Sequence, residues 1–132
     1  MKKILVVSMA LIFSQTAFAE WQTVISMDDF NVAIEKSRLK KIGDHYQAWV
    51  KYSLKDQKEI NSVKFQSMLS LEEYDCKNEK SRKLDLHFYS DDQVNGKVVK
   101  SANETGEWNR PIPGSVSDSI LNAVCYKNKK LR

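Results

Sequence analysis

Apolar and polar residues alternate with a period of two along most of this chain, and a helical period appears only near its end. The clearest alternation covers residues 45–53, where Tyr46, Ala48, Val50 and Tyr52 share one face. His45, Gln47, Trp49 and Lys51 share the other. The same pattern predicts strands over residues 21–26, 30–35, 82–89 and 97–101. In the third of these, Leu84, Leu86 and Phe88 point inward and Lys83, Asp85, His87 and Tyr89 outward. Residues 63–76 form a longer strand whose period breaks at Met68, Leu69 and Leu71, as a bulge would give. Asp28-Asp29, Gly43-Asp44, Asp91-Asp92-Gln93 and Asn95-Gly96 are turn signals. The charged stretches 36–44 and 54–61 read as connections.

The rigid run Pro111-Ile112-Pro113-Gly114 stops any strand entering from Ala102, because neither proline can donate to a ladder. Ser115 then fits a helix N-cap, with Asp118 three residues on. Val116, Ile120, Leu121, Val124 and Cys125 fall on one face of the helix that follows. Strands joined by turns and short loops favour an antiparallel meander over crossover units. The expected fold class is therefore α+β, a single antiparallel sheet with one C-terminal helix packed on a face.

Composition adds the compartment. Residues 1–19 carry Lys2 and Lys3, an apolar stretch from Ile4 to Phe13, and Ala17-Phe18-Ala19, the arrangement of a secretory signal with its cleavage site. The apolar stretch is too short to span a bilayer. The expected domain is 20–132, exported and periplasmic or secreted. Without Lys2 and Lys3, Lys+Arg falls from 21 to 19 against 17 Asp+Glu, a surface too mixed for nucleic acid. Cys76 and Cys125 are an even pair in an exported chain, which points to one structural disulfide. Cys76 ends the long strand, so the bridge would pin the helix against the sheet.

Chemistry is sparse. His45 and His87 are single residues on outward faces, and no nucleophile stands in a catalytic context. Neither cysteine has metal-ligand spacing, so no metal or cofactor is expected. Glu72, Glu73 and Asp75 lack the spacing of a calcium loop and read as a solvated acidic edge. Lys36, Arg38, Lys40 and Lys41 read as a solvated connection. Trp49 covers the edge of the core, with stacking on a ligand as the alternative.

An ordered set of elements resembles the surface-adhesin protein E family of Gram-negative bacteria. It comprises Trp21-x-x-Val24, Ala48-Trp49-Val50, Tyr74-Asp75-Cys76 with Ser81-Arg82, Phe88-Tyr89 and Gly96-x-Val98-Val99-x-Ser101. Trp108, Ile112-Pro113-Gly114-Ser115 and Val124-Cys125 complete it. The resemblance implies about six antiparallel strands and a C-terminal helix tethered by the disulfide. It also implies, for some members, a place on the cell surface and binding of host extracellular-matrix and serum proteins through a basic segment before the first cysteine. Here that segment, residues 54–69, carries Lys55, Lys58 and Lys64 beside Asp56 and Glu59, and Glu20 stands where a lipidated member would have cysteine.

The expected function is a non-catalytic exported binding domain that recognises a host-matrix or envelope protein, with Lys55, Lys58, Lys64 and Trp49 as candidate contacts. The alternative is a periplasmic structural or assembly partner acting through a sheet edge, including as a homodimer. A small envelope enzyme stands third.

Overall fold

A computed structural model describes residues 19–126. The expected export signal, apart from Ala19, and the basic tail from residue 127 lie outside the described residues. The strands are β1 (Trp21–Ser26), β2 (Phe30–Glu35), β3 (Lys40–Ile42), β4 (His45–Ile60), β5 (Val63–Asp75), β6 (Lys80–Tyr89) and β7 (Val98–Ala102). One helix, α1 (Val116–Cys125), follows. All pairings are antiparallel, in the order β1-β2-β4-β5-β6-β7. β3 also pairs with β4, opposite residues 45–47, whereas β2 pairs opposite residues 50–54.

Period two decides the faces. Ile34 lies opposite Val50 and Val50 opposite Ser70, so Val32, Ile34, Ala48, Val50 and Tyr74 reach one side of the sheet. There they meet Ile120, Leu121, Val124 and Cys125, the buried stripe of α1. Ser115 caps the helix as its sequence predicts, its hydroxyl accepting from the Asp118 amide at 3.2 Å. Asp118 reaches back to the Gly114 amide at 3.0 Å. Gly114 has φ +80°, which a side chain would strain. The Cys76–Cys125 disulfide, with Cα atoms 5.5 Å apart across 49 residues of sequence, ties the end of α1 to the end of β5.

Four local expectations are corrected. Residues 54–60 are not a loop, because β4 continues to Ile60 and pairs with the start of β5 across Asn61 and Ser62, both at positive φ. This half of β4 is mostly exposed, so it carries no alternation to read. Residues 36–44 hold a short 3-10 turn and β3 rather than a plain connection. The broken period of β5 is not a bulge in β5, since its register from residue 67 to 74 against β4 is unbroken. Both faces of β5 are instead covered: Met68 and Ser70 on the helix side, Leu69 and Leu71 on the other. The displaced residues lie in its neighbours. Residues 54–57 of β4 stand opposite Gln66, whose side-chain amide donates to the Leu54 and Lys55 carbonyls at 3.3 and 3.0 Å. Leu84 of β6 is the extra residue between Asp85 and Lys83, which swings Lys83 to the helix side opposite Glu72. Lastly, the turn signalled by Asn95-Gly96 has its positive φ one residue earlier, on Val94.

Candidate functional site

A single helix covers one face of a sheet, and the other face of this one is concave. Trp21 on β1 and Val98 on β7 belong to opposite edges in strand order, yet they line the same cleft of about 450 Å³. The sheet therefore curls into a trough, as strongly twisted antiparallel sheets do. Trp49, Leu69, His87 and Tyr89 form its apolar floor, and Glu35 and Arg38 stand at the β1 side. The alternation places them: Leu69 pairs with Lys51 and His87, and Trp49 with Leu71, all on the side away from α1. Trp49 and His87 face each other with ring centroids 6.5 Å apart. The His87 ring is fixed by a 2.8 Å hydrogen bond with the Ser101 hydroxyl.

Two polar devices lie beyond the cleft toward opposite ends of β5, near Ser67 and at Glu73. The loop between β6 and β7 is wound around Asp91, whose carboxylate accepts from the amides of Gln93, Asn95 and Gly96 at 3.2, 3.0 and 2.8 Å. Burial acts to raise the Asp91 pKa, but these amides outweigh it and hold the group below its usual range. A Cβ on Gly96 would lie 2.8 Å from the Asp91 Oδ1, so a side chain there would displace the carboxylate from these amides. Fully buried Ser67 anchors the loop, donating to the Asp91 carbonyl at 2.6 Å and accepting from the Val94 amide at 3.1 Å. At the other end Glu73 receives His45 at 2.9 Å on Oε1 and Arg82 at 3.0 and 3.1 Å on Oε2. Trp108 packs edge-on to His45 and lies under the Arg82 guanidinium, 4.4 Å from its ring centroid.

Glu72 and Glu73 are thus not a solvated acidic edge. They are 6% and 7% exposed, on opposite faces of β5, and each is satisfied. Glu72 accepts from the Tyr52 and Tyr74 hydroxyls at 2.8 and 2.7 Å and pairs with Lys83 at 2.7 Å. Burial, reinforced by this carboxylate, raises the pKa of both tyrosines well above the ordinary phenol value. His45 stands beside the Glu73 and Asp75 carboxylates at 2.9 and 3.7 Å, in the same group as Arg82 and Trp108, which links β4, β5 and β6.

The sequence candidates separate. Lys55, Lys58 and Lys64 lie on the hairpin that β4 and β5 extend beyond their neighbours; all three are exposed and form no ion pair among the described residues. Trp49 sits in the cleft, about 20 Å along β4 from Lys55 at about 3.3 Å per residue. The alternation did not single out Trp21, Leu69 or Tyr89 as site residues. Leu69 alone had a signal, the run Met68-Leu69, adjacent apolar residues that demand cover on both faces. Among the described residues no group of three metal-ligating side chains occurs.

A curled antiparallel sheet with a disulfide-tethered helix on its convex side and an aromatic cleft on the other defines a small binding-domain architecture. The model of the surface-adhesin protein E family matches residues 21–126, and the chain belongs to that family. The crystal structure (form II) of Haemophilus influenzae protein E is similar in fold, with TM-score 0.62 and 10% identity over 84% of this chain and 98% of that one. No curated protein matches the chain.

Proposed function

We propose that this chain is an exported, non-enzymatic binding protein that takes a protein partner on the helix-free face. The observation that carries this reading is the cleft itself. Trp21, Trp49, Leu69 and Tyr89 present apolar and aromatic surface in a concavity of about 450 Å³, the form in which aromatic residues contribute most to binding. Family membership supports an external protein partner, and no helix among the described residues is long and apolar enough to cross a membrane. A partner placing an apolar side chain between Trp49 and Tyr89 gains contact with surface already desolvated on one side.

The test uses the exported protein as bait against extracellular-matrix and serum proteins, and in parallel against envelope extract. For each retained partner, Trp49→Ala should weaken binding at least tenfold, a loss of about 1.4 kcal/mol. Its circular dichroism should stay native. Unchanged affinity in both Trp49→Ala and Tyr89→Ala would reject the cleft.

A second reading rests on the projecting hairpin. Its three exposed lysines offer a surface to an acidic partner, and its strand edges offer backbone pairing to a second chain, including another copy. Binding there would weaken steeply with salt and survive Trp49→Ala.

A further inference from the structure

The backbone nitrogen of Glu20 donates to Glu35 Oε1 at 2.8 Å. That oxygen is already crowded, accepting also from the Ser37 amide at 3.1 Å and the Ser37 hydroxyl at 2.6 Å. Its twin, Oε2, is buried and has no hydrogen-bond partner among the described residues, where the Arg38 guanidinium pairs with it at 3.8 Å. Glu35 is 2% exposed. A carboxylate so buried, with one oxygen overloaded and the other unused, is short of donors. The position is fixed from the backbone as well, because the Lys36 amide donates to the Glu20 carbonyl at 2.8 Å and Trp21 pairs with Glu35.

We propose that Glu35 is the acceptor site for the α-ammonium of a chain cut between Ala19 and Glu20. The proposal rests on the processing site Ala17-Phe18-Ala19 and is independent of what the cleft binds. Water adds across the Ala19–Glu20 amide, the carboxylate leaves with Ala19, and the nitrogen stays on Glu20 and takes up a proton. An amide nitrogen has one hydrogen to give; an ammonium has three. One already points at Oε1, and a second can serve Oε2 on the same carboxylate, converting a neutral donor into a charge-assisted pair. The charged neighbours are compatible. Lys36 is drawn off by the Glu20 side chain at 3.8 Å, and Arg38 approaches only Oε2. Cutting also removes Ala19 from the wall of the cleft, so processing both locks β1 to β2 and finishes the binding face.

The test exports three full-length chains: the native one, Glu35→Gln, and one with an alanine inserted between Ala19 and Glu20, which keeps the processing site but turns the Glu20 nitrogen back into an amide. Intact mass reads the new N-terminus, acylation at neutral pH followed by peptide mapping reads the α-amine, and melting reads the lock. The native α-amine should acylate at least tenfold more slowly than that of Glu35→Gln. The alanine insertion should lower the melting temperature by several degrees, and that loss should vanish when it is combined with Glu35→Gln. Equal acylation rates, or an insertion cost that persists in Glu35→Gln, would overturn the site. A native N-terminus other than Glu20 would overturn it at the processing step, a distinct result.

Discussion

The Lys51 ammonium lies over the Trp21 indole, 4.5 Å from its ring centroid, joining the middle strand β4 to the edge strand β1 across the trough. Burial lowers the Lys51 pKa, and Asp92 only partly restores it. Lys51 also reaches Gln93 at 3.4 Å, so one side chain touches both the edge strand and the β6–β7 loop. A partly exposed contact of this kind contributes about 0.5–1 kcal/mol. Lys51→Met should therefore cost little stability, while freeing the indole. Tryptophan fluorescence should shift in intensity without a change in far-ultraviolet circular dichroism; an unchanged spectrum would show that Trp21 is held elsewhere.

The disulfide carries a larger share. Closing a loop of 49 residues stabilises by about 4 kcal/mol in the chain-entropy account. Cys125→Ala should lower the melting temperature by roughly 15 °C for a domain of this size. The strands, paired independently of the bridge, should persist. Exported native protein should show no thiol on titration under denaturing conditions.

Tyr74→Phe removes one of three donors from the buried Glu72 carboxylate, at a cost of about 1–3 kcal/mol. Because Tyr52, Tyr74 and Lys83 serve the same group, the effects should not add. In the Glu72→Gln background the Tyr74→Phe loss should shrink by more than half. Full additivity in urea titrations would mean that the three contacts act separately.

The loop between β6 and β7 should loosen in acid. Asp91 is held below its ordinary value of 3.8, so it binds its proton less readily folded than unfolded. A depressed carboxylate stabilises above the unfolded value and loses that contribution as pH falls through the folded one. Amide exchange at Gln93, Asn95 and Gly96 should accelerate below about pH 4 relative to the core of the sheet. Asp91→Asn should produce the same protection loss at neutral pH, and unaltered exchange there would remove the carboxylate from the account.

The hairpin lysines should be separable from stability. Lys55, Lys58 and Lys64 are exposed and form no ion pair among the described residues, so changing all three to glutamate should move the melting temperature by no more than a few degrees. If the hairpin is the partner surface, the same change should abolish the salt-sensitive part of binding. A large drop in melting temperature would instead mean that the lysines support the two-stranded extension.

By itself the sequence determined the elements whose side chains meet water on one side and core on the other. Residues 21–26 and 30–35 were legible to the residue, and so were the Ser115 cap, the buried stripe of α1 and the Cys76–Cys125 pair. In each the period, the cap or the count follows from local geometry. Tertiary structure alone decided the rest. Residues 54–60 form strand although neither face is covered, because the first residues of β5 supply the hydrogen bonds. Ser67, Ser70, Glu72 and Glu73 are buried because partners distant in sequence satisfy them. Lys83 changes face because Leu84 is an extra residue in the β5–β6 register. The cleft was least legible of all. Trp21, Trp49, Leu69 and Tyr89 converge only when the sheet curls, and that curl sums small twists over every strand, a quantity that no local pattern records.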